Sequence, residues 1–164
     1  MKTIEELIQQ LKLFSAELIE LQPPIDEGNI IALEERLSIR LPNDYRAFLR
    51  FHNGLRLMGT SVYGITTTSD PHSLEGAYLF EHYEVENPMP EYVVPFSPDG
   101  EGNHYCFDLR TCHQESCEVI FWQHDLTYTE EYKPEVVHSS FAAWVKEVII
   151  DWTLEEYDYN GNEK

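Results

Sequence analysis

The residues whose types and spacing best suit chemistry begin with an acidic turn at residues 99–103. Its sequence, Asp-Gly-Glu-Gly-Asn, places oxygen-bearing side chains on alternate positions, at Asp99, Glu101 and Asn103. Calcium loops use such spacing because a hard cation needs several oxygen ligands around a tight turn. The complete calcium pattern also needs a distal bidentate glutamate, which this register does not supply. The sequence therefore favours a glycine-rich hairpin turn with exposed acids over a metal site.

Three cysteines and a histidine carry the ligand types that zinc prefers, at Cys106, Cys112, His113 and Cys117. Against a zinc site, Cys106 falls in a predicted buried strand. A cysteine nucleophile assisted by His104 or His113 is a second interpretation, but the sequence identifies no partner groups for it. An odd number of cysteines does not suggest a disulfide framework. We therefore expect free cysteines that pack as small apolar side chains, and no bound metal.

A histidine and an aspartate follow a predicted buried strand, at His124 and Asp125. They could form half of a catalytic dyad, because an aspartate can orient an imidazole ring. No Gly-x-Ser-x-Gly or comparable nucleophile motif accompanies them. Gly100 and Gly102 are too closely spaced, and lie between predicted strands, for a dinucleotide-binding motif. The sequence thus predicts no catalytic residue and no cofactor.

Aromatic and acidic side chains interleave along residues 78–92. The aromatic residues are Tyr78, Phe80, Tyr83 and Tyr92, and the acids are Glu81, Glu84, Glu86 and Glu91. Such alternation is typical of a strand with a buried aromatic face, and also of an interface with aromatic anchors inside a polar rim. On the second interpretation, the predicted partner-binding residues are Glu81, Tyr83, Glu84, Glu86, Glu91, Tyr92, Asp99 and Glu101.

Negative charge dominates the chain and is unevenly placed. The net charge is −19, and residues 57–164 contain 21 acidic but only 4 basic side chains. Nucleic acid and anionic membranes are poor direct partners for such a surface, because binding to phosphates requires lysine and arginine. A basic protein partner would be attracted quickly by this field. Solubility alone is the alternative explanation, since net charge concerns association and not fold.

Helices are predicted at both ends of the chain, and they would hold these residues in place. Thr3 and Glu6 match a capping box, followed by a helical apolar pattern to about Leu21. A second helix begins at Asp26 or Asn29, and a third covers residues 42–52. The Asn-Gly pair at residues 53–54 would end the third helix, because glycine adopts the left-handed conformation. A final helix begins after Ser139 or Ser140, with an apolar stripe formed by Phe141, Trp144, Val145, Val148, Ile149 and Trp152.

Strands are predicted between the helices. They cover residues 62–65, 77–85, 92–96, 104–109 and 117–122, the last two joined as a hairpin by residues 110–116. Helices, then strands, then a helix favour an α+β domain. We expect N-terminal helices, one twisted, mainly antiparallel sheet of about five or six strands, and a C-terminal helix packed on that sheet. Residues 1–164 would form one domain with an acidic tail that frays from about residue 155.

Two groups of residues resemble the motifs of a known family. The first is Leu33-Glu34, then Leu41-Pro42-x-Asp44-Tyr45, Phe48-Leu49 and Asn53-Gly54. The second is Pro95-Phe96, then the acidic turn at residues 99–103 and Cys106-Phe107-Asp108, followed by Val119-Ile120-Phe121-Trp122 and His124-Asp125. In order and spacing, this pattern resembles the SUKH superfamily, the group of the fungal Smi/Knr cell-wall-synthesis regulators and many bacterial toxin-immunity proteins. The motif residues expected to be structural are Leu41, Pro42, Asp44, Tyr45, Phe48, Leu49, Asn53, Gly54, Gly100, Gly102 and Asp108.

The resemblance implies a helix-covered antiparallel sheet and a binding function. We expect a cytoplasmic immunity protein that neutralises a toxin, often a nuclease, by stoichiometric binding to its basic surface. No apolar run is long enough to span a membrane, and the N-terminus lacks a signal-peptide core. One alternative is a regulatory or scaffold protein of cell-wall synthesis or signalling. Another is a hydrolase that uses His124-Asp125 or Cys106, although nothing in the sequence assembles a nucleophile, a base and an oxyanion site.

Overall fold

The N-terminal capping box is present, but the first helix is shorter than expected. The structure, a computed structural model, describes residues 2–66, 70–114 and 116–164. Helix α1 (Ile4–Leu11) begins where Thr3 Oγ1 accepts a hydrogen bond from the Glu6 amide, and Glu6 accepts one from the Thr3 amide. The predicted continuation to Leu21 is wrong, because strand β1 (Ile19–Leu21) pairs with strand β2 (Leu55–Leu57) instead.

Two further helices follow, as the sequence predicts. Helix α2 (Glu27–Leu37) is capped by Asp26, whose side chain accepts a hydrogen bond from the Asn29 amide. Helix α3 (Asn43–Phe51) follows Pro42 within a residue of the predicted bounds. It ends with an extended residue, His52, so Gly54 does not itself cap the helix. With φ at +102°, Gly54 turns the chain into β2 instead.

The described residues contain seven strands, which form two antiparallel sheets. In the first sheet, β2 lies between β1 and β3 (Thr60–Val62). The second has the order β4 (Val93–Pro98), β5 (His104–Asp108), β6 (Val119–Trp122) and β7 (Glu135–His138). A hydrogen bond of 2.8 Å from the Tyr63 amide to the Phe96 carbonyl links the two sheets. The α+β class is confirmed, whereas the single sheet of five or six strands is replaced by two sheets.

The segment predicted as a strand over residues 77–85 is helical. Helix α4 (Leu74–Tyr83) begins at Ser73, whose Oγ accepts a hydrogen bond from the Gly76 amide at 3.0 Å. Its buried residues recur at helical spacing and are Leu74, Glu75, Ala77, Tyr78, Glu81 and His82. The alternation of aromatic and acidic residues suggested a strand, but the same residues also place apolar side chains on one face of a helix.

The final helix, α5, changes its winding along its length. It is α-helical over Phe141–Trp144, π-helical over Val145–Asp151 and α-helical again over Trp152–Glu156. Its start at Ser140 is as predicted, since the Ser140 hydroxyl accepts a hydrogen bond from the Ala143 amide. The wider π turn rotates the later residues relative to a regular α-helix. The predicted stripe therefore fails at its end, where Trp152 is exposed and Ile150 is fully buried.

An aromatic cluster forms the centre of the main core. Phe96 stacks on Phe107 at 4.3 Å between ring centroids, and Tyr45 meets Phe141 edge-on at 5.2 Å. Trp144 of α5 packs edge-on against Phe96 at 4.8 Å, which places α5 on the second sheet. Leu41, Tyr45, Phe48 and Leu49, which the resemblance predicts to be structural, are buried in this core.

The acidic C-terminal tail is packed against the N-terminal region. The Tyr159 ring lies 4.8 Å from that of Phe14, and the Tyr159 carbonyl accepts a hydrogen bond from the Ser15 amide. Tyr157 and Glu163 form an isolated β-bridge. The expectation of a frayed tail is therefore wrong, because Tyr159 provides an apolar anchor. Within the described residues, no helix has the length and apolar character needed to cross a membrane.

Candidate functional site

The predicted partner-binding acids divide into exposed and buried residues. Five are exposed: Glu84, Glu86, Glu91, Asp99 and Glu101. The sixth, Glu81, is only 6% exposed, so the expectation that it lies on the open surface is corrected. The cause is the helical geometry of α4, which places Glu81 on the same buried face as Leu74, Ala77 and Tyr78. Of the two predicted aromatic anchors, Tyr83 is 74% exposed and Tyr92 is half-buried.

Contacts near both ends of helix α4 tie it to neighbouring elements. The Arg36 guanidinium of α2 donates two hydrogen bonds to the Glu75 carboxylate, at 2.9 and 3.0 Å. Near the other end of α4, the His82 Nε2 atom lies 2.8 Å from the Val93 carbonyl oxygen. Burial lowers the pKa of His82, so the ring is neutral at pH 7 and donates this hydrogen bond from Nε2. A rigid helix thus presents its exposed side to solvent beside the acidic turn.

Two clefts meet at Glu81. The first, of about 640 Å³, lies between α4 and the acidic turn, and its lining includes Tyr63, Phe80 and His104. The second, of about 560 Å³, lies between the end of α4 and the loop that contains His124. Four carboxylates other than Glu81 line one cleft or the other, and we call them the acidic rim: Asp70, Glu84, Glu86 and Asp125. No lysine or arginine lines either cleft among the described residues.

The floor of the first cleft contains three buried polar side chains from different elements. The Tyr63 hydroxyl lies 3.2 Å from His104 Nε2, and His104 Nδ1 lies 3.7 Å from a Glu81 oxygen. Burial lowers the pKa of His104 to about 4 and raises the pKa of Glu81 above its usual range. Because His104 is neutral at pH 7, its contact with Glu81 is not an ion pair. Burial also raises the pKa of Tyr63 to about 12.

The acidic turn uses its own polar groups to hold its shape. The Asp99 carboxylate accepts hydrogen bonds from the amides of Glu101 and Asn103 and from the Asn103 side chain, at 2.8 to 3.0 Å. Asn103 Oδ1 in turn lies 2.8 Å from His124 Nδ1. Gly100 and Gly102 both have positive φ, and a side chain at Gly102 would meet the His124 ring. Across residues 2–66, 70–114 and 116–164, no three His, Cys, Asp or Glu side chains are placed to hold a metal ion.

Glu91 and Tyr92 lie in a different environment from the acidic rim. The Arg110 guanidinium stacks on the Tyr92 ring, 3.7 Å from its centroid, and pairs with Asp108 at 3.2 Å. Tyr92, Arg110 and Glu91 line a separate depression that also contains Arg40. The local charge there is mixed. The predicted partner-binding residues therefore do not form one continuous surface.

The residues proposed for catalysis are not assembled as the sequence interpretation required. His124 Nδ1 contacts Asn103, and the structure records no hydrogen bond between His124 and Asp125 within the described residues. Cys106 is fully buried, and burial raises the pKa of its thiol well above the usual value. A thiol of this kind is a poor nucleophile because the thiolate is the reactive form.

The expectation of three free cysteines is wrong for two of them. Cys112 and Cys117 form a disulfide, and Cys106 remains free. The bridge closes a tight turn, in which His113 and Ser116 exchange backbone hydrogen bonds of 2.8 and 3.3 Å. That pairing brings the flanking cysteines together. The predicted connection over residues 110–116 begins with a 3₁₀ turn at Leu109–Thr111, and its residue 115 lies outside the described residues.

Several motif residues have clear structural functions. The Asp44 carboxylate accepts a hydrogen bond from the Ala142 amide at 3.1 Å and so joins α3 to the first turn of α5. Burial raises the pKa of Asp44, although hydrogen bonds from Ser116 and Ala142 oppose the shift. The Tyr45 hydroxyl donates to the Tyr63 carbonyl at 2.5 Å. These contacts tie helices to sheets at the centre of the fold.

Sequence reasoning missed several residues of the site. Tyr63 and His104 form its floor, and Asp70 and Asp125 belong to the acidic rim. The helical spacing of Leu74, Ala77 and Tyr78 was the signal that could have placed Glu81 inside and Phe80 outside. The contact between α4 and the acidic turn has no local signal, because it joins residues more than fifteen positions apart.

The fold and its two clefts define the class of this protein. The chain is an α+β domain with two antiparallel sheets, and four carboxylates border the two clefts that meet at Glu81. Residues 24–147 match the profile of the SMI1 / KNR4 family (SUKH-1), and the chain belongs to that family.

A solved structure has the same fold. It is the crystal structure of a protein from Pseudomonas syringae pv. tomato, which matches with a TM-score of 0.62 and 20% sequence identity. The match covers 88% of this chain and 96% of that one. At this level of identity, the similarity concerns the fold alone.

Proposed function

We propose that this protein is a non-catalytic, cytoplasmic immunity protein that neutralises a toxin domain by stoichiometric binding. The observation that carries the proposal is the acidic rim, four carboxylates around two clefts whose described linings contain no lysine or arginine. Such a surface attracts a protein with a clustered positive charge. A nuclease has that property, because its substrate-binding cleft must bind phosphates.

The geometry favours occlusion as the mechanism. Phe80 and Tyr83 are 50% and 74% exposed on α4, beside the carboxylates of Glu84 and Glu86. Aromatic anchors next to charged groups are typical of the residues that contribute most to binding free energy. The carboxylates would occupy positions that substrate phosphates take in the toxin, and the aromatic rings would exclude water. No turnover is needed for this function.

The experiment titrates a candidate toxin nuclease domain with the purified protein. We expect nuclease activity to fall linearly to zero at one equivalent, and calorimetry to give a 1:1 complex. Raising the salt concentration from about 0.05 to 0.5 M should weaken binding, because surface charges are screened. Complete loss of nuclease activity well below one equivalent of this protein would indicate an enzymatic effect and contradict the proposal.

Charge reversal tests the location of the interface. The variant Glu84→Lys, Glu86→Lys, Glu101→Lys should weaken binding more than about tenfold, mainly through a lower association rate. The matched control reverses three exposed glutamates elsewhere, Glu17, Glu35 and Glu155, and so changes the net charge equally. We expect the control to weaken binding less than about threefold. Equal losses in both variants would show that only the overall charge matters.

A further inference from the structure

The Glu81 carboxylate has no hydrogen-bond donor among the residues that the structure describes. It is 94% buried, and it lines both clefts. The nearby His104 Nδ1 atom is 3.7 Å away, which is too long for a hydrogen bond, and this buried nitrogen has no partner either. Buried carboxylates are costly without a partner, so most of them are paired or hydrogen-bonded. The Glu81 oxygens are not among the fully buried atoms without a partner, so they open onto the clefts, where a ligand can reach them.

The surroundings of Glu81 indicate what kind of group would pair with it. The acidic rim makes the clefts negative, and no lysine or arginine of the described chain enters them. A positively charged donor is thus favoured over a neutral one. His104 cannot supply the charge at pH 7, because burial keeps its ring neutral.

The walls of the first cleft suit an arginine side chain in particular. Phe80, which is half exposed, and Ala77 provide apolar surface along α4. A guanidinium group stacks on aromatic rings and donates two parallel hydrogen bonds to a carboxylate. The ammonium group of lysine lacks this planar arrangement of donors.

We propose that the cleft between α4 and the acidic turn receives one arginine side chain of a protein partner, whose guanidinium pairs with Glu81 and stacks on Phe80. This inference rests on the proposed function, because it names the contact that a basic partner makes. A protein occupant fits the exposed acids and Tyr83 outside the cleft, which would meet a wider basic surface around the arginine. The contact would be a central anchor and the acidic rim its polar border.

The first test uses a small probe and needs no toxin. The ¹⁵N-labelled full chain is titrated with N-acetyl-arginine N-methylamide, and amide shifts are followed by NMR. We expect saturable shifts at Ala77, Glu81 and His104, with a dissociation constant of about 1–10 mM, as suits a single weak contact. N-acetyl-citrulline N-methylamide is the matched control, since it has nearly the same shape but no charge. Equal shifts with both probes would overturn the proposal, and so would the absence of shifts at these three residues.

Two substitutions assign the contact to Glu81. The isosteric Glu81→Gln should weaken arginine-probe binding at least tenfold, whereas Glu84→Gln, an exposed acid of the same cleft, should weaken it less than threefold. Phe80→Leu, at a half-exposed position, should weaken it about threefold and provides a second variant if Glu81→Gln does not fold. Unchanged binding in both Glu81→Gln and Phe80→Leu would refute the assignment.

The toxin complex then separates this inference from the proposed function. If the toxin binds tightly and Glu81→Gln has the same affinity for it as the wild type, the proposed arginine contact at Glu81 is refuted while the immunity function stands. If the arginine probe binds in a Glu81-dependent manner but no toxin domain binds, the immunity function fails and the arginine-binding site at Glu81 stands. We expect Glu81→Gln to raise the dissociation constant of the toxin complex at least tenfold.

Discussion

The Asn53 side chain makes two hydrogen bonds to the Ile65 backbone, as a neighbouring strand would. The Asn53 Nδ2 atom donates to the Ile65 carbonyl at 2.6 Å, and the Oδ1 atom accepts from the Ile65 backbone amide at 2.7 Å. The chain after β3 must pass very close to Asn53 for both bonds to form. That approach occurs at Gly64, where an added Cβ would lie 2.2 Å from the Asn53 carbonyl oxygen.

Gly64→Ala should therefore destabilise the protein. The new methyl group would collide with backbone atoms, which cannot move without breaking the Asn53 contacts, so we expect a loss of about 2–3 kcal/mol. Urea denaturation measures the free energy of unfolding. The matched control is Gly59→Ala, because a Cβ there meets no atom within 4 Å. A Gly64→Ala protein as stable as Gly59→Ala would show that the close approach is not required.

His104 makes stability depend on pH. Its pKa is lowered from 6.5 to about 4 in the folded state, so the unfolded chain binds more protons between these values. Its contribution is fully present above pH 6.5 and is lost as the pH falls towards 4. Relative to His104→Gln, the wild type should lose about 3 kcal/mol between pH 7 and pH 4.

The measurement is urea denaturation of both proteins across that pH range. Glu81 faces His104 and has a raised pKa, which acts in the opposite direction in both proteins. The difference between the two curves therefore reports on His104. Parallel curves would mean that the His104 ring can be protonated without cost.

Between the second and third helices, a buried ion pair fixes the helix arrangement. Arg46 of α3 and Glu34 of α2 are 6% and 7% exposed, and Arg46 Nε donates to Glu34 at 3.1 Å. The same Glu34 oxygen accepts from the Leu41 amide at 2.7 Å, which holds the turn between the helices. Arg46 also pairs with Glu27 at the start of α2. This is the contact that joins the first half of the family motif.

Removal of Arg46 should be strongly destabilising. Arg46→Ala leaves the Glu34 carboxylate buried without its counter-charge, and we expect a loss of about 3–5 kcal/mol by thermal or urea unfolding. Arg50→Ala is the control, because Arg50 also pairs with Glu27 but lies on the surface, 44% exposed. It should cost less than about 1 kcal/mol. Similar losses of unfolding free energy in the two variants would show that burial does not strengthen the contribution of the Arg46–Glu34 pair.

Helix α4 is the element where local sequence was least informative. Its residues Phe80 and Tyr83 are exposed, and its acids Glu75 and Glu81 are buried, so polarity along the chain does not mark its faces. The Glu75 carboxylate is stabilised inside only because Arg36 of α2 reaches it. A local sequence pattern of about ten residues cannot reveal a partner that lies 39 positions away along the chain.

On the scale of the whole molecule, the two ends of the chain support each other. Tyr159 packs on Phe14, and its hydroxyl accepts a hydrogen bond from Gln10 of α1 at 3.2 Å. Tyr159→Ala should lower the free energy of unfolding by about 1–2 kcal/mol, since it removes aromatic packing and one hydrogen bond. Chemical denaturation checks this. Tyr83→Ala, at a ring that is 74% exposed, should have almost no effect on stability. Equal stability of the two variants would show that the tail adds nothing.

The uneven charge also acts at the scale of the whole molecule. The five arginines before residue 57 include Arg36, Arg46 and Arg50, each paired with a carboxylate in or between helices. The 21 acidic side chains of residues 57–164 far exceed the four basic ones available to them. Most of the unneutralised negative charge therefore belongs to the part of the chain that forms the clefts.

Local sequence was enough to predict the family motif, the capping box, the presence of three N-terminal helices, the start of the final helix and most strands of the second sheet. It did so because caps, glycine turns and apolar periodicity act within a few residues. The tertiary structure alone decided that α4 is a helix, that Cys112 bonds to Cys117 and that Glu81 lies inside a cleft. These outcomes depend on groups brought together from distant positions, such as Arg36 with Glu75 and His104 with Glu81. Burial and charge pairing across the fold outweigh local preference at those places.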